Sequence, residues 1–236
     1  MDKKVIPLIC EGYSDLVALE DYLNDLFRDK AIQFFVASGD ITSDRNKKDK
    51  YLNELIEDAI FNNPNRSVDF TIDDILMVAH LVDTDGVFES DDVVKYDGSL
   101  SFNQYFDDHI LACKSVKEMN ETRALKRDRL LDCIDTVTIA IKNRNLIYRI
   151  FYMSVNLEHV TQDNQNVETE IEKMDFAEEF ATRFDKLDDF VSFLEHNNAS
   201  GTHDYKESWK YIRKHSLNKA TNLIVFVEYL LEKFKD

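Results

Sequence analysis

Short apolar runs alternate with amphipathic helical patterns over the first 90 residues, and this alternation is the feature that most restricts the fold. The runs at residues 5–10, 32–37 and 75–82 are apolar throughout much of their length and end in polar residues, which is typical of strands buried on both faces. Between them, leucines and isoleucines recur at helical spacing over residues 16–27 and 52–60. Strands and helices that alternate at this spacing predict parallel βαβ units.

The alternation pauses after residue 100 and resumes with one more strand pattern at residues 148–155. An apolar stripe at Leu130, Ile134, Val137 and Ile141 predicts a mostly helical segment in between. We therefore expect an α/β fold with a central, mostly parallel, four-stranded Rossmann-like sheet flanked by helices, and with a helical C-terminus. The expected parts are an α/β core at 1–100 plus 146–160, a helical insertion at 101–145, and a C-terminal helical part at 161–236 that packs on the core.

Composition narrows the class of protein. The chain has 46 acidic and 29 basic residues, a net charge of −17, which argues against a protein that coats nucleic acid through Lys and Arg. Three cysteines without a C-x-x-C pair favour reduced thiols and a cytoplasmic location. Because no apolar run reaches the roughly 18 residues of a membrane span, we expect no membrane association.

Acidic residues follow three of the four predicted strands. Glu11 closes the first strand, Asp83 and Asp85 close the third, and Glu158 lies just beyond the fourth. Single acids often follow strands as turn or helix-capping residues, but the set is more specific than its members. Ligands of parallel α/β sheets bind beyond the carboxyl ends of the strands, and clustered carboxylates there suit a hard cation such as Mg²⁺.

Three segments carry a resemblance to the TOPRIM domain of topoisomerases, bacterial primases and several nucleases. They are Ile-Cys-Glu-Gly-Tyr-Ser-Asp at 9–15, Ala-Ser-Gly-Asp at 37–40 and Val-Asp-Thr-Asp-Gly at 82–86. The resemblance covers roughly residues 4–90 plus the strand at 148–155. The chain is short for a topoisomerase or a primase, and it looks more like the small stand-alone TOPRIM nucleases of the OLD and RloB type, which act in phage defence.

The resemblance implies roles for individual residues. Glu11 matches the family's general acid/base or metal ligand, and Asp83 and Asp85 match its Mg²⁺- or Mn²⁺-binding aspartates. Asp15 and Glu158 match supporting acids of the nuclease members. Topoisomerases carry a further glutamate directly after the second aspartate, whereas here Glu89 lies four residues beyond Asp85.

These observations predict a Mg²⁺- or Mn²⁺-dependent phosphodiesterase that acts on nucleic acid. Glu11, Asp83 and Asp85 would be catalytic, and all five acids would be metal ligands. Two basic stretches, at 114–129 and 203–219, would hold the phosphate backbone weakly, although a solvated helix face explains them as well. The candidate contacts are Lys126, Arg127, Arg129, Lys210, Arg213 and Lys214.

A second interpretation keeps the fold without independent turnover. The chain would be a catalytically weak binding or effector module that works with a partner protein such as an ATPase, or as a homo-oligomer. The acidic surface favours this alternative, and the phenylalanine-rich stretch at 176–190 is its candidate partner surface. The residues leave open whether DNA or RNA is bound and whether ends or internal bonds are cut.

Overall fold

The central strands are apolar on both sides, so both faces of the sheet need helical cover. In the first strand Ile6 and Leu8 pack into one apolar cluster, while Val5 and Ile9 pack into another, because alternate side chains of a strand point to opposite faces. A computed structural model of the protein describes residues 4–38, 41–47, 49–62 and 69–234. Within these ranges it is an α/β fold with a mixed central sheet between two helical layers.

The described residues contain nine strands and eight α-helices. The strands are β1 (Lys4–Cys10), β2 (Ile32–Ser38), β3 (Met77–Asp83), β4 (Val94–Tyr96), β5 (Gln104–Tyr105), β6 (Ile110–Ala112), β7 (Thr138–Ile141), β8 (Arg144–Ser154) and β9 (Ala220–Thr221). The helices are α1 (Tyr13–Leu26), α2 (Leu52–Phe61), α3 (Val116–Asp135), α4 (Leu157–Gln162), α5 (Glu170–Ala181), α6 (Leu187–His196), α7 (Tyr205–Ile212) and α8 (Leu223–Lys233).

The central sheet has the strand order β2-β1-β3-β8-β7, and β9 pairs with β8. β2, β1, β3 and β8 run parallel, whereas β7 and β9 are antiparallel to β8. The predicted α/β class, the mostly parallel sheet and the helical C-terminus are thus confirmed, but the count of four strands is wrong because the sheet has six. The four parallel strands end at one edge, which places their following residues side by side.

Each face of the sheet has its own helical layer. Helices α1, α5, α6 and α8 contribute to the apolar cluster on one face. Helices α2, α3 and α7 contribute to the cluster on the other face, where Trp209 is buried and donates a hydrogen bond from its indole nitrogen to the Ile150 carbonyl oxygen at 3.2 Å. Both layers leave the carboxyl edge of the parallel strands accessible to a ligand.

The segment 101–145 is not the helical insertion that its apolar stripe predicts. Only α3 is helical, and β5, β6 and β7 lie on either side of it. The stripe crosses the helix end at Asp135, and the β-branched residues that follow it pair with β8 through a tight hairpin at Lys142, where φ is 51°. β4, β5 and β6 form a separate three-stranded sheet whose strands are too short to show a period.

The phenylalanine-rich stretch at 176–190 is not a free partner surface. Phe180 and Phe190 are fully buried, and Phe184 packs against the same cluster. Tyr22 of α1 links this layer because its hydroxyl donates to the Phe180 carbonyl oxygen at 2.8 Å and accepts from the Phe184 amide at 3.1 Å. Phe180, Phe184 and Phe190 therefore form the core between α1, α5 and α6.

The three cysteines are free thiols. Burial raises the pKa of Cys10 well above its usual value and raises the pKa of Cys133 to about 11, so neither is a thiolate at neutral pH. Cys10 is consequently a core residue despite its position next to Glu11. None of the helices in the described ranges is long and apolar enough to cross a membrane.

Replacement of Gly86 should destabilise the fold more than replacement of Gly201. Both have left-handed backbones, with φ of 60° and 61°. A Cβ on Gly86 would lie 2.7 Å from Leu217 Cδ2 and 3.1 Å from Ile110 Cδ1, whereas one on Gly201 meets nothing within 4 Å. Gly201→Ala should lower the free energy of unfolding by about 1 kcal/mol from backbone strain, and Gly86→Ala by about 1–3 kcal/mol more from overpacking. Urea denaturation checks this, and equal losses would contradict the packing argument.

Candidate active site

All five predicted carboxylates line one cavity beyond the carboxyl edge of the parallel strands. The cavity has a volume of about 460 Å³. Its acidic wall contains residues from the ends of β1 and β3 and from the first turns of α1 and α4. These residues are Glu11, Asp15, Asp83, Asp85 and Glu158. The Ala-Ser-Gly-Asp motif at 37–40 cannot be related to this cavity, since Gly39 and Asp40 lie outside the described residues.

The turn after β3 is tied to the end of β8, and this fixes Asp83 and Asp85. The backbone amides of Thr84 and Asp85 both donate to the Val155 carbonyl oxygen, at 2.9 and 3.0 Å. Asp85 and Gly86 have φ values of 46° and 60°, so two consecutive left-handed residues reverse the chain. An aspartate tolerates this conformation better than most side chains, and a glycine adopts it freely.

Arg123 of α3 holds the outer part of the same turn. Its guanidinium is 1% exposed and donates to the carbonyl oxygens of Gly86 and Glu89, at 3.0 and 2.7 Å. The Glu89 carboxylate points elsewhere, because its Oε1 accepts from the Ser216 amide at 2.9 Å, and Glu89 does not line the cavity. Glu89 therefore does not take the place of the additional topoisomerase glutamate.

Asp15 and Glu158 enter the cavity from helix N-termini. Asp15 Oδ2 accepts from the Gly12 amide at 2.9 Å, which satisfies a backbone donor at the start of α1. Glu158 lies in the first turn of α4 and is 4% exposed. The positive end of each helix favours a carboxylate at this position, which explains why two acids are tolerated here with little access to water.

The structure corrects the prediction that Lys126 is a surface contact for nucleic acid. Lys126 was expected on a basic surface track, but it is 2% exposed, with Nζ 2.8 Å from Glu11 Oε2 and 2.6 Å from Asp85 Oδ2. Burial by itself would lower the pKa of Lys126, but Asp85, Glu11 and Asp83 outweigh burial and raise it well above its usual value. The ammonium group is therefore charged and balances two carboxylates that come from different strands.

The remaining carboxylates have no such counter-charge. Asp15, Asp83 and Glu158 form no ion pair within the part of the chain that the structure describes. Burial, with Glu158 and Glu11 adding to it, raises the pKa of Asp15 to about 7 even though the Gly12 hydrogen bond opposes the shift. Burial, followed by the charges of Asp15, Glu11 and Asp85, raises the pKa of Asp83 well above its usual value, and burial also raises that of Glu158.

The other α3 arginines of the predicted nucleic-acid track bind the protein's own loops. The Arg129 guanidinium donates to the carbonyl oxygens of Ile41 and Lys47. The Arg127 guanidinium lies 3.5 Å from the Val87 carbonyl oxygen. Both side chains are half-buried. These arginines fix loops around the carboxylates instead of forming an open basic face.

The three predicted basic contacts in and after α7 are not part of the cavity lining. Lys210 is exposed and pairs with Glu207 at 2.6 Å. Arg213 is half-buried, and its buried Nε has no hydrogen-bond partner among the described residues, whereas Lys214 is exposed. None of the three lines the cavity. Their contact with nucleic acid stays a prediction.

The cavity also contains residues that the sequence did not indicate. They are contributed by the segment around β5, by the loop between α4 and α5, and by α5. The main ones are Phe102, Asn103, Tyr105, Gln165 and Lys173. Phe102, Asn103 and Gln165 lie in irregular segments, Tyr105 lies in the two-residue strand β5, and Lys173 lies in the most acidic stretch of the chain, so no sequence pattern marks them.

A second acidic cluster, which we call the His203 triad, lies on a different surface. His203 Nε2 is 3.2 Å from Glu195 Oε2, and His203 Nδ1 contacts Glu228, so the end of α6 is linked to α8. One potential ligand atom from each of the three residues lies within 4.8 Å of the others. The adjoining surface cavity shares no residue with the carboxylate cavity. All three side chains are substantially exposed, and such ion pairs stabilise a fold by about 0–1 kcal/mol each.

Asp15→Asn should stabilise the metal-free protein, and more so at alkaline pH. Because the folded pKa of about 7 exceeds the unfolded value, the native state binds the extra proton and loses stability as pH rises from about 4 to 7. Asparagine carries no charge and keeps an oxygen for the Gly12 amide. Thermal and urea unfolding in chelator should show a gain about 2 kcal/mol larger at pH 8 than at pH 5. Asp175→Asn, on the exposed side of α5, is the control, and a pH-independent gain would contradict the assignment.

Comparison with known proteins identifies no relative. No model of a known protein family matches the chain, and no curated protein or solved structure matches it. The features of the chain that bear on function are therefore those of the cavity, with its carboxylates, its buried lysine and its polar far wall.

Proposed function

We propose that the protein is a Mg²⁺- or Mn²⁺-dependent phosphodiesterase that acts on nucleic acid. The observation that carries the proposal is the convergence of five carboxylates, from β1, the turn after β3, α1 and α4, on one cavity at the carboxyl edge of a parallel sheet. We also propose that the four parallel strands and these acids make a TOPRIM-like core. The motifs at 9–15 and 82–86 support this likeness, as does the position of the acids after β1 and β3. A role in phage defence follows from the same likeness and is proposed with it.

The donor set suits a hard divalent cation. Carboxylate oxygens are the ligands that Mg²⁺ prefers, and Asp15, Asp83 and Glu158 are three buried or half-buried acids without a partner cation among the described residues. Burial and the neighbouring carboxylates raise the pKa values of these three acids, and a bound cation would oppose both effects. Glu11 and Asp85 each turn one oxygen toward Lys126. The second oxygen of Glu11 accepts from the Thr42 hydroxyl at 2.6 Å and has a further lone pair, so both acids can complete the donor set. When bound, the metal neutralises a phosphate and lowers the pKa of an attacking water.

The protein's own residues supply the remaining chemistry. Lys126 holds Glu11 and Asp85 at a fixed separation and reduces the repulsion among the acids. Lys173 lines the cavity from α5, 3.0 Å from Glu170, and is the lysine that can contact a phosphate oxygen there. The carboxylates that lack an ion pair are the groups able to accept a proton from water. The turn held by Arg123 and Val155 keeps this arrangement in place before substrate binds.

One observation favours the second candidate function. A lysine that already neutralises Glu11 and Asp85 lowers the demand for a metal at these two residues, which suits a catalytically weak TOPRIM-like module that works with a partner such as an ATPase. The two candidates differ in whether a divalent ion gives turnover without a partner.

Mg²⁺ and Mn²⁺ should raise the melting temperature of the protein and should allow it to hydrolyse bis-(p-nitrophenyl) phosphate. A ligand that binds only the folded state at 100 times its Kd stabilises it by about 2.7 kcal/mol. Asp83→Asn should remove both effects because it removes the half-buried acid at the end of β3. Differential scanning calorimetry and absorbance at the nitrophenolate band provide the two measurements.

Asp175→Asn serves as the matched control for this experiment, and both of its readouts should equal those of the unmodified protein. Binding of metal without hydrolysis would favour the partner-dependent module. An unchanged melting temperature at millimolar metal would contradict the metal site and with it the enzyme.

Lys126→Met should make the stability of the protein depend on metal. Removal of one partner of a buried ion pair costs about 3–5 kcal/mol, because Glu11 and Asp85 are left without a counter-charge. Mg²⁺ can supply that charge, so the increase in melting temperature on adding Mg²⁺ should be larger for Lys126→Met than for the unmodified protein. Lys117→Met changes an exposed lysine on the same helix and is the control. An equal increase in all three proteins would show that Lys126 and the metal do not share ligands.

A further inference from the structure

One wall of the carboxylate cavity has no role in phosphodiester chemistry. Besides the acids, Lys173, Gly12, Ser14, Asn156 and Val167, the lining contains two aromatic rings, from Phe102 and Tyr105, and the amide side chains of Asn103 and Gln165. All four side chains are half-buried, so each presents part of its surface to the cavity. Aromatic faces stack on nucleobases and amide groups hydrogen-bond to base edges, whereas neither group assists the hydrolysis of a phosphate ester.

We propose that this wall, which we call the base wall, holds one unstacked nucleobase, and that the substrate is therefore single-stranded nucleic acid. This inference rests on the proposed phosphodiesterase function and adds the substrate class to it. The base of one nucleotide would lie against Phe102 and Tyr105 while its phosphate lies against the carboxylates and Lys173.

The base wall is rigid, as a binding surface must be to give affinity. Asn166 joins the α4–α5 loop to β5, because its Oδ1 accepts from the Tyr105 amide at 2.7 Å and its Nδ2 donates to the Tyr105 carbonyl oxygen at 2.8 Å. Gln165 Nε2 donates to the same carbonyl at 3.1 Å. Ser101 Oγ donates to Glu168 Oε1 at 2.7 Å and closes the other end of the contact. Little ordering is thus needed when a ligand binds.

The wall also offers hydrogen-bonding groups that the protein does not use. The Tyr105 hydroxyl and the Gln165 Oε1 form no hydrogen bond with another residue in the described ranges. Asn103 is engaged at both ends, since its Oδ1 accepts from the Cys113 amide at 3.1 Å and its Nδ2 donates to Met119 Sδ at 3.5 Å. A phenol and an amide oxygen beside an aromatic ring can pair with the polar edge of a base that stacks there.

The size of the cavity favours a single nucleotide over a duplex. About 460 Å³ is typical of a site for a small molecule. A base pair inside a duplex keeps its faces stacked, so a base can reach this wall only after it has been unstacked, which costs least in a single strand. A single strand therefore satisfies the wall without the energy of opening a helix.

The charges lead to the same conclusion. Seven carboxylates line the cavity, and Lys173 is its one lining cation among the described residues. Arg127 and Arg129 are engaged by loop carbonyl oxygens, so few basic side chains are left to contact a long phosphate backbone. Affinity must then come from stacking and from the metal, and binding should weaken only slightly with salt. A slope of log affinity against log salt near −1 is expected, since each phosphate contact contributes about −0.7 in a single strand.

The test uses the 236-residue chain with Mg²⁺ and three labelled 15-nucleotide substrates: single-stranded DNA, single-stranded RNA and blunt duplex DNA. Bis-(p-nitrophenyl) phosphate, which has no base, is assayed in parallel. Phe102→Ala and Tyr105→Phe change the base wall, and Phe106→Ala is the control because Phe106 stacks on His109 and does not line the cavity. Fluorescence anisotropy measures binding, and unfolding curves establish that each variant is folded.

The single strands should be bound and cut at least tenfold better than the duplex. Phe102→Ala should raise KM and Kd for single strands by about tenfold, the size of one stacking contact, whereas Phe106→Ala should leave hydrolysis of the small diester within twofold. Tyr105→Phe should have a smaller effect of the same kind, and Phe106→Ala none. Better cutting of DNA or of RNA identifies which of the two provides the nucleotide.

The two proposals fail in different ways. Hydrolysis of the small diester with equal cutting of duplex and single strand, or with no effect of Phe102→Ala on either nucleic acid, would overturn the base wall and leave the phosphodiesterase intact. Absence of any metal-dependent hydrolysis would overturn the phosphodiesterase. In that case single-strand binding that depends on Phe102 would still support the base wall, and its absence would overturn the base wall as well.

Discussion

The pairing of Lys126 with Glu11 and Asp85 is the interaction on which the carboxylate cavity depends. A parallel sheet brings the ends of β1 and β3 together, and acids at both ends repel one another strongly where water has little access. The lysine of α3, bonded to the two acids at 2.8 and 2.6 Å, makes that arrangement compatible with a folded protein. It also divides the acids into a neutralised pair and a group of three, Asp15, Asp83 and Glu158, which still lack positive charge.

The rest of the structure holds these acids where they are. Arg123 and the Val155 carbonyl oxygen secure the turn after β3, and Arg129 secures the loop around Ile41. Arg123, Lys126, Arg127 and Arg129 of α3 thus act inward, which reconciles a net charge of −17 with the proposed site for a phosphate ester. Stability is given up for this arrangement, since buried acids with raised pKa values weaken the fold at neutral pH, as is common where a site is prepared for a ligand.

The sequence predicts the parallel part of the sheet and the acids at its edge because both follow from local rules. Apolar runs mark β1 and β3, and whatever follows them must lie at one edge. It does not predict β7, because the apolar stripe of α3 continues past the helix end into β-branched residues, nor the short strand β5. The predicted position of Lys126 on a basic surface was wrong. A lysine on an amphipathic helix is usually solvated, and Lys126 is buried only because α3 crosses two strand ends, which no local pattern indicates. Tyr105 and Gln165 reach the cavity through loop contacts, for which no periodic signal exists.

Anomalous diffraction from crystals soaked in Mn²⁺ would locate the metal directly. We expect an anomalous peak in the carboxylate cavity, within coordination distance of Asp83 and at least one of Asp15 and Glu158, and no such peak after Asp83→Asn. A peak only at the exposed His203 triad, or no peak at a Mn²⁺ concentration that saturates the melting-temperature shift, would contradict this expectation.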